Sequence, residues 1–485
     1  MRLGDLLAGV PMSVICGDPD LEITELTTDS RKAEKGAAFV AMKGCRADGG
    51  DYIQEALDRG AAVILSRRRP EGGVPWVMLS SPRAALPYLA ANFYGHPADG
   101  LTLLGVTGTN GKTSVTYLLR TILEAAGHRT GLIGTTGAWV GHTPLAAPDR
   151  TTPEATELHR LLAEMKRLGC THVVMEVSSH ALLLHRTDGL IFRCGVFTNL
   201  TPEHLDFHRD MEHYRAAKER LFRQSRAAIL NLDDGAGVWY RARLDCPCLT
   251  YSENKNEATL TGKYLRLFPD RVSFEAVTRG QIARVELPIP GSFTIYNAMA
   301  ALTTGLELGL TLPEMAQSLR GAESVPGRME PVETGEDFSV LIDYAHTPDA
   351  LENLLLSTRR SAKGRLLLLF GCGGDRDRSK RPVMGAIASQ LADIAVVTSD
   401  NPRGEDPETI IEEILSGADG DAVLYREPDR RRAIRMILDM ARPGDLVLLA
   451  GKGHEHWQEQ NGKFLRLDER EEVAAALRER GTAAG

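Results

Sequence analysis

Hydrophobic and polar positions along this 485-residue chain fall into two alternating rhythms. Short, wholly apolar runs such as LTLLGV, THVVMEV, CGVFTNL, RLLLLF, DIAVVT and DLVLLA read as strands buried on both faces. Between them lie longer segments in which apolar residues return every three or four positions. In TSVTYLLRTILEAAG the stripe is Val115, Leu118, Leu119, Ile122 and Leu123, which predicts an amphipathic helix. Strands alternating with such helices imply parallel sheets covered on both sides, so the predicted fold class is α/β. Three blocks emerge. Residues 1–98 mix strand-like GAAFVAM and AAVILSRR with helix-like DYIQEALDRG. Residues 99–326 open on LTLLGVTG and pass through AAILNLD to a β-rich patch around YLRLFPDRVSFEAV and a helix near YNAMAALTTGLELG. Residues 327–485 alternate again from FSVLIDYAH onward. In such sheets ligands sit beyond the carboxyl ends of the strands, which directs attention to the residues that follow each one.

Composition narrows the partners. A hydrophobic share of 43% with 25% charged residues is that of a soluble globular protein. The net charge of −8 argues against a broad nucleic-acid footprint, and the basic runs SRRRP and PDRRRAIRM read as solvated surface. Of seven cysteines only Cys246 and Cys248 lie close together, without a second pair at zinc spacing. Reduced thiols, the lack of a signal-peptide core and the lack of an apolar run near ~20 residues predict a cytoplasmic protein with no membrane span.

The chemistry begins at GVTGTNGKTS, Gly105 to Ser114. A strict G-x-x-x-x-G-K-[ST] loop wants glycine where Val106 stands; Gly105 is one place early and Gly108 two places late. The turn nonetheless joins a buried strand to a helix N-terminus, where backbone N–H groups and the helix dipole favour phosphate. Gly108, Thr109, Asn110, Gly111, Lys112, Thr113 and Ser114 are therefore predicted to bind ATP, with Lys112 on the β/γ-phosphates and the Thr113 hydroxyl on Mg²⁺. Glu176 ends the strand THVVMEV and offers a hard oxygen ligand. His204 follows the strand CGVFTNL; it stands four residues before His208, but Pro202 and the lack of a nearby third ligand predict a loop rather than a helical zinc pair. Lys218 falls on the apolar face marked by Tyr214, Ala217, Leu221 and Phe222. An ammonium there needs either a snorkelling path to water or a specific partner.

G-T-N-G-K-T, together with TTDSR near the start and GKGHE near the end, resembles the Mur ligase family. These are ATP-dependent amide-forming enzymes of peptidoglycan synthesis, in a superfamily that includes folylpolyglutamate synthetase. The likeness spans nearly the whole chain and is strongest to the branch that adds meso-diaminopimelate to UDP-N-acetylmuramoyl-L-alanyl-D-glutamate. It implies an N-terminal UDP-binding domain, a central P-loop-type ATPase domain with a parallel sheet, and a C-terminal Rossmann-like domain, in a monomer that works through an acyl phosphate. Lys112, Glu176, His204 and Lys218 are then implied at the catalytic centre, with Thr113, Glu176, His204 and a carbamylated Lys218 holding Mg²⁺. Asn297, Arg328 and Asp343 are implied to hold ATP, the last two on either side of the junction between the second and third domains. Thr28 and Ser30 in TTDSR match the uridine-binding loop, and Cys45, Arg46 and Ala47 the next contact segment. Thr151, Thr152, Ser178 and Arg186 match positions that hold the muramoyl dipeptide, whereas Arg150 and Leu184 depart from the Asn and Gln of some members.

Members differ in the amino acid they add. The turn Asp400, Asn401, Pro402, Arg403 follows a strand, and Asn-Pro is in itself ordinary turn punctuation. The far end of meso-diaminopimelate is a zwitterion, which calls for an arginine to fork its carboxylate and an acid or amide to accept its ammonium hydrogens. D-N-P-R supplies both and matches the diaminopimelate-adding type, with Arg376, Gly451 and Glu455 completing the pocket. The lysine-adding relatives lack this arginine. A nucleotide-gated regulatory ATPase is the rival from another class; it would have no need of substrate motifs in the first and third blocks.

Overall fold

A computed structural model describes the chain except residues 11–13, 45–46, 72, 148–149, 269, 360–361 and 484–485. Two compact units account for it. One comprises Met1–Gly108, Leu123–Phe197 and His204–Leu249; the other comprises Thr109–Ile122, Thr198–Glu203 and Thr250–Gly485. The glycine-rich loop after Gly108 thus belongs with the second unit.

The first unit holds two sheets. In the N-terminal one, Glu25–Thr27, Ala37–Val40, Val63–Ser66 and Trp76–Met78 run parallel, and Val14–Cys16 pairs antiparallel on the edge. In the larger one, Ser225–Asn231, Phe192–Phe197, Thr102–Thr107, His172–Glu176 and Thr130–Gly134 are parallel in that spatial order. The hairpin strands Gly137–Val140 and Thr143–Ala146, which the hydrophobic pattern did not reveal, extend it antiparallel. The register puzzle of Gly105 resolves here. A Cβ at that position would lie 2.8 Å from Leu221 and 3.0 Å from Phe192. Gly105 therefore serves close packing of the helix Met211–Arg223 on its strand, not the phosphate loop.

The second unit contains the strands Leu260–Leu267, Val272–Val277 and Ile282–Leu287, antiparallel to one another, and the buried helix Ser292–Glu307. Its other sheet orders Glu330–Val332, Ser339–Asp343, Leu446–Ala450, Leu366–Phe370, Ile394–Val397 and Val423–Arg426, all parallel except the first. Alternation decides its two cores: Leu366, Leu368 and Phe370 face one helical layer, and Leu367 and Leu369 the other. A separate hairpin, Trp457–Gln460 with Lys463–Arg466, follows the last parallel strand. Among the described residues, no helix is long and apolar enough to cross a membrane.

Candidate active site

The second unit carries the nucleotide loop. Gly111 has φ 84°, and a Cβ on it would lie 2.4 Å from Asn297 Oδ1, so both conformation and space demand glycine. The loop is fixed from outside itself. Thr109 N–H donates to the Asn199 carbonyl and Asn110 N–H to Asn199 Oδ1, both at 2.9 Å. Asp349, in the first turn of the helix Pro348–Arg359, accepts from Asn110 Nδ2 at 2.7 Å and from Thr201 Oγ1 at 3.0 Å. Lys112 Nζ donates to the Thr109 carbonyl at 2.7 Å. Ser114, Tyr117, Phe293, Asn297 and Arg328 line one cleft beside this loop, so the structure brings together the loop, Asn297 and Arg328 as expected. Asp343 joins them through the backbone: it accepts from Met329 N and Ala345 N, both at 2.8 Å. Burial pushes its carboxyl up, against the pull of Arg328. The Arg328 guanidinium stacks 4.8 Å over Tyr344. This turn exists because Gly327 (φ 69°) lets the chain approach His454; a Cβ there would be 2.1 Å from the His454 nitrogen.

The first unit gathers a second set. Glu176 is 1% exposed and accepts from Thr135 N at 2.8 Å and Thr135 Oγ1 at 3.2 Å. Thr152 Oγ1 donates to the Glu176 carbonyl at 3.0 Å and accepts from Ser178 N at 3.0 Å, while Arg186 Nη1 donates to the Thr152 carbonyl at 2.9 Å. Thr151 Oγ1 lies 3.3 Å from Thr135 Oγ1. Thr151, Thr152, Ser178, Arg186 and Glu176 are therefore one cluster, with Thr135 as a member that the sequence reading missed. His204 is exposed, in a left-handed conformation (φ 56°), and His180 meets it edge-on at 4.7 Å. The loop predicted around it holds at His204, but Leu205–His208 forms one helical turn, a correction: Pro202 lies too far upstream to prevent it. His208 turns away to Ser179 Oγ at 2.8 Å and is buried.

Lys218 is 1% exposed. Its Nζ donates to the Gly108 carbonyl at 2.8 Å and lies 4.4 Å over the Tyr214 ring, so a specific partner, not snorkelling, accommodates it. An ammonium has no lone pair for a metal. Lys218 fits the metal role only as a carbamate, whereas the hard oxygens of Glu176 and Thr113 suit Mg²⁺ as they stand.

In the N-terminal sheet's loops Ser30 Oγ donates to Glu55 Oε2 at 2.6 Å, with Thr28 half-buried nearby in sequence. Ala47 is exposed; Cys45 and Arg46 lie outside the described residues, and Arg150 and Leu184 are exposed and half-buried respectively.

The acceptor segment is tied together by several side-chain hydrogen bonds. Asn401 Nδ2 donates to Glu455 Oε2 at 3.0 Å; Lys452 Nζ, fully buried, donates to Asn401 Oδ1 at 2.9 Å and Glu455 Oε2 at 2.8 Å and lies 3.8 Å from Asp400. Burial alone would raise the Glu455 carboxyl, but Lys452 and Asn401 hold it below the usual carboxylate range. A Cβ on Gly451 would lie 3.8 Å from the Asp400 carboxylate. The loop of Arg376, itself exposed, meets the Pro402 turn: Gly374 N donates to the Asn401 carbonyl at 2.9 Å, and a Cβ on Gly374 would be 2.0 Å from the Pro402 carbonyl. Arg403 (φ 51°) donates from Nη1 to the Gly374 carbonyl at 2.8 Å. Two buried arginines, missed in the sequence, brace the segment. Arg381 bridges Gly373, Glu405 and Glu413. Arg430 pairs with Glu469 and donates to the carbonyls of Ser399, just past the strand Ile394–Val397, and of Ala450, at the end of Leu446–Ala450.

Family models match as Mur ligase family catalytic domain over residues 22–94, Mur ligase middle domain over 106–305 and Mur ligase glutamate ligase domain over 327–453. The chain belongs to the Mur ligase family. Within the family, a relative from Clostridium acetobutylicum named UDP-N-acetylmuramoyl-L-alanyl-D-glutamate--2,6-diaminopimelate ligase 1 is 41% identical, covering 99% of this chain and 100% of its own. A ligase of the same name, without the numeral, from Caldanaerobacter subterraneus is 43% identical, covering 99% of both chains. A solved structure bearing that ligase name superposes with TM-score 0.72 at 31% identity over 99% of each chain. A MurF ligase from Thermotoga maritima in complex with ADP shares the fold at 19% identity and TM-score 0.67, covering 96% of this chain and all of that one. The three-domain α/β architecture of Mur ligases is thus the architecture of this chain.

Proposed function

We propose that the protein is the ATP-dependent ligase that adds meso-2,6-diaminopimelate to the D-glutamate of UDP-N-acetylmuramoyl-L-alanyl-D-glutamate, for peptidoglycan precursor synthesis. The observation that carries the choice of amino acid is the acceptor segment: Arg403 supplies a guanidinium seated on the Gly374 carbonyl, and Asp400, Asn401 and Glu455 supply oxygen acceptors gathered round the buried Lys452, so that one segment carries both signs of partner for a zwitterionic end. In the second unit Lys112 and the backbone of residues 108–114 cradle the triphosphate, while Asn297, Arg328 and Asp343 orient the nucleoside. In the first unit Thr151, Thr152, Ser178 and Arg186 position the dipeptide carboxylate, and Ser30 with Thr28 and residues 45–47 the uridine. Thr113, Glu176, His204 and a carbamylated Lys218 would hold Mg²⁺, which would supply positive charge where the transferred phosphoryl group accumulates negative charge. The D-glutamate carboxylate takes the γ-phosphoryl of ATP as the β–γ bond breaks and ADP leaves, the free amine attacks that acyl phosphate, phosphate leaves, and the amine's proton is given up to solvent or base. The reading includes domains at 1–98, 99–326 and 327–485, a cytoplasmic monomer, and no nucleic-acid partner.

The test is phosphate release with ATP, Mg²⁺ and the UDP-dipeptide, run with meso-diaminopimelate, with L-lysine and with no amino acid. Release that requires both substrates and prefers meso-diaminopimelate is expected. Equal turnover with L-lysine would overturn the acceptor assignment, and release indifferent to either substrate would favour a regulatory ATPase.

A further inference from the structure

Arg403 is not held by its own loop alone. In the hairpin Trp457–Gln460 with Lys463–Arg466, the first strand and the residue after it are bonded to the D-N-P-R turn. Arg403 N donates to the Glu459 carbonyl at 3.0 Å, Asn461 N to the Arg403 carbonyl at 2.6 Å, Gln458 Nε2 to the Asp400 carbonyl at 2.6 Å and Glu459 N to Asn401 Oδ1 at 2.9 Å. The side chains repeat the pairing: Arg403 Nε donates to Glu459 Oε2 at 3.1 Å. A guanidinium has five N–H donors and two ways to fork a carboxylate, side-on through Nε and one Nη, or end-on through both Nη. Glu459 occupies the side-on edge. The Gly374 carbonyl takes Nη1 at 2.8 Å, and Gly373 makes room for that nitrogen, since a Cβ there would lie 2.9 Å from Nη1. The Glu459 charge also neutralises Arg403 locally, so the pair favours a zwitterion over a bare carboxylate.

We infer that Glu459 is a positioning residue for acceptor selection, fixing the Arg403 guanidinium by its Nε edge so that only the Nη1/Nη2 edge meets the distal carboxylate of the amino acid. This rests on the diaminopimelate reading above. The experiment compares Glu459→Ala and Glu459→Gln with wild type, measuring KM and kcat for meso-diaminopimelate and L-lysine and KM for ATP and the UDP-dipeptide. Glu459→Ala is expected to raise the meso-diaminopimelate KM about tenfold and to narrow its preference over L-lysine, the loss of one charge-assisted hydrogen bond. KM for ATP and the UDP-dipeptide should stay within about twofold. Glu459→Gln, whose amide oxygen still accepts from Nε, should restore most of the wild-type KM. An unchanged meso-diaminopimelate KM in Glu459→Ala, in a wild type that does prefer that acceptor, overturns this inference alone. A parallel rise in all three KM values reveals general loosening and overturns it too. A wild type indifferent to the acceptor overturns the reading beneath it.

Discussion

Replacing Arg381 by methionine isolates what a buried cation does for the acceptor loops. The guanidinium is 0% exposed. It donates to both Glu405 oxygens at 2.9 Å, to Glu413 at 2.7 Å and to the Gly373 carbonyl at 3.2 Å. Removing one partner of a buried ion pair costs about 3–5 kcal/mol. The two carboxylates are 20% and 30% exposed and can rehydrate, so the lower end, about 3 kcal/mol, applies. A multidomain chain does not unfold in one step, so the measurement is native-state hydrogen exchange in the strands Leu366–Phe370 and Ile394–Val397. Exchange there should quicken by about two orders of magnitude, at ~1.4 kcal/mol per factor of ten. The pH dependence has a definite sign. Hydrogen bonds from Arg381 hold the Glu405 carboxyl down at about 2, against an ordinary 4.5. A depressed acid contributes stability that is complete above its unfolded value and lost as pH falls through its folded one. The difference between wild type and Arg381→Met should therefore hold steady above pH 5 and shrink from about 4.5 toward 2. In a double-mutant cycle with Glu405→Gln, the two changes should be strongly non-additive. Exchange altered less than about threefold, or a difference that grows on acidification, would refute the argument.

Three further outcomes are expected. Gly111→Ala, which sets a side chain against Asn297 at a φ of 84°, should abolish ATP-dependent turnover while the protein stays folded by circular dichroism. Lys218→Ala should lose activity by several orders of magnitude and recover part of it with added short carboxylates; recovery without them would refute the carbamate role. His159, buried on the helix Ala155–Arg167 with no hydrogen bond to either ring nitrogen among the described residues, is held neutral by burial, its value lowered to about 4. Stability from neutral His159 is complete above its ordinary 6.5 and falls away as pH drops toward 4, so His159→Phe should flatten the melting temperature across that window.

What the sequence made legible follows from what periodicity can report. The strand-loop-helix around Gly111 and the apolar face bearing Lys218 were readable because each residue sits in a strong local pattern. Arg381 was not, because DRDRSKRP offers several cations in a row and nothing local says which one a later helix will bury. Lys452 was hidden the same way: its partners Asn401 and Glu455 come from two different strand ends. The hairpin after Gly453 also escaped, since Trp457, Phe464 and Leu465 lie partly in solvent and give no buried alternation. Fold class and nucleotide loop are local facts; the bracing of the acceptor turn is a tertiary one.

The link between Asn110 and Asp349 has a consequence for the newborn chain. The two residues are 239 positions apart. At about 5–20 residues per second, roughly 10–50 s pass between synthesis of the loop and of its strut. Through that interval the ribosome-bound nascent protein has a glycine-rich turn whose Asn110 side chain waits for its carboxylate. The Asn199 bonds to the loop backbone need only the first part of the chain, whereas the Asp349 strut closes when most of the protein has been translated, so truncated products ending before Asp349 lack this second brace.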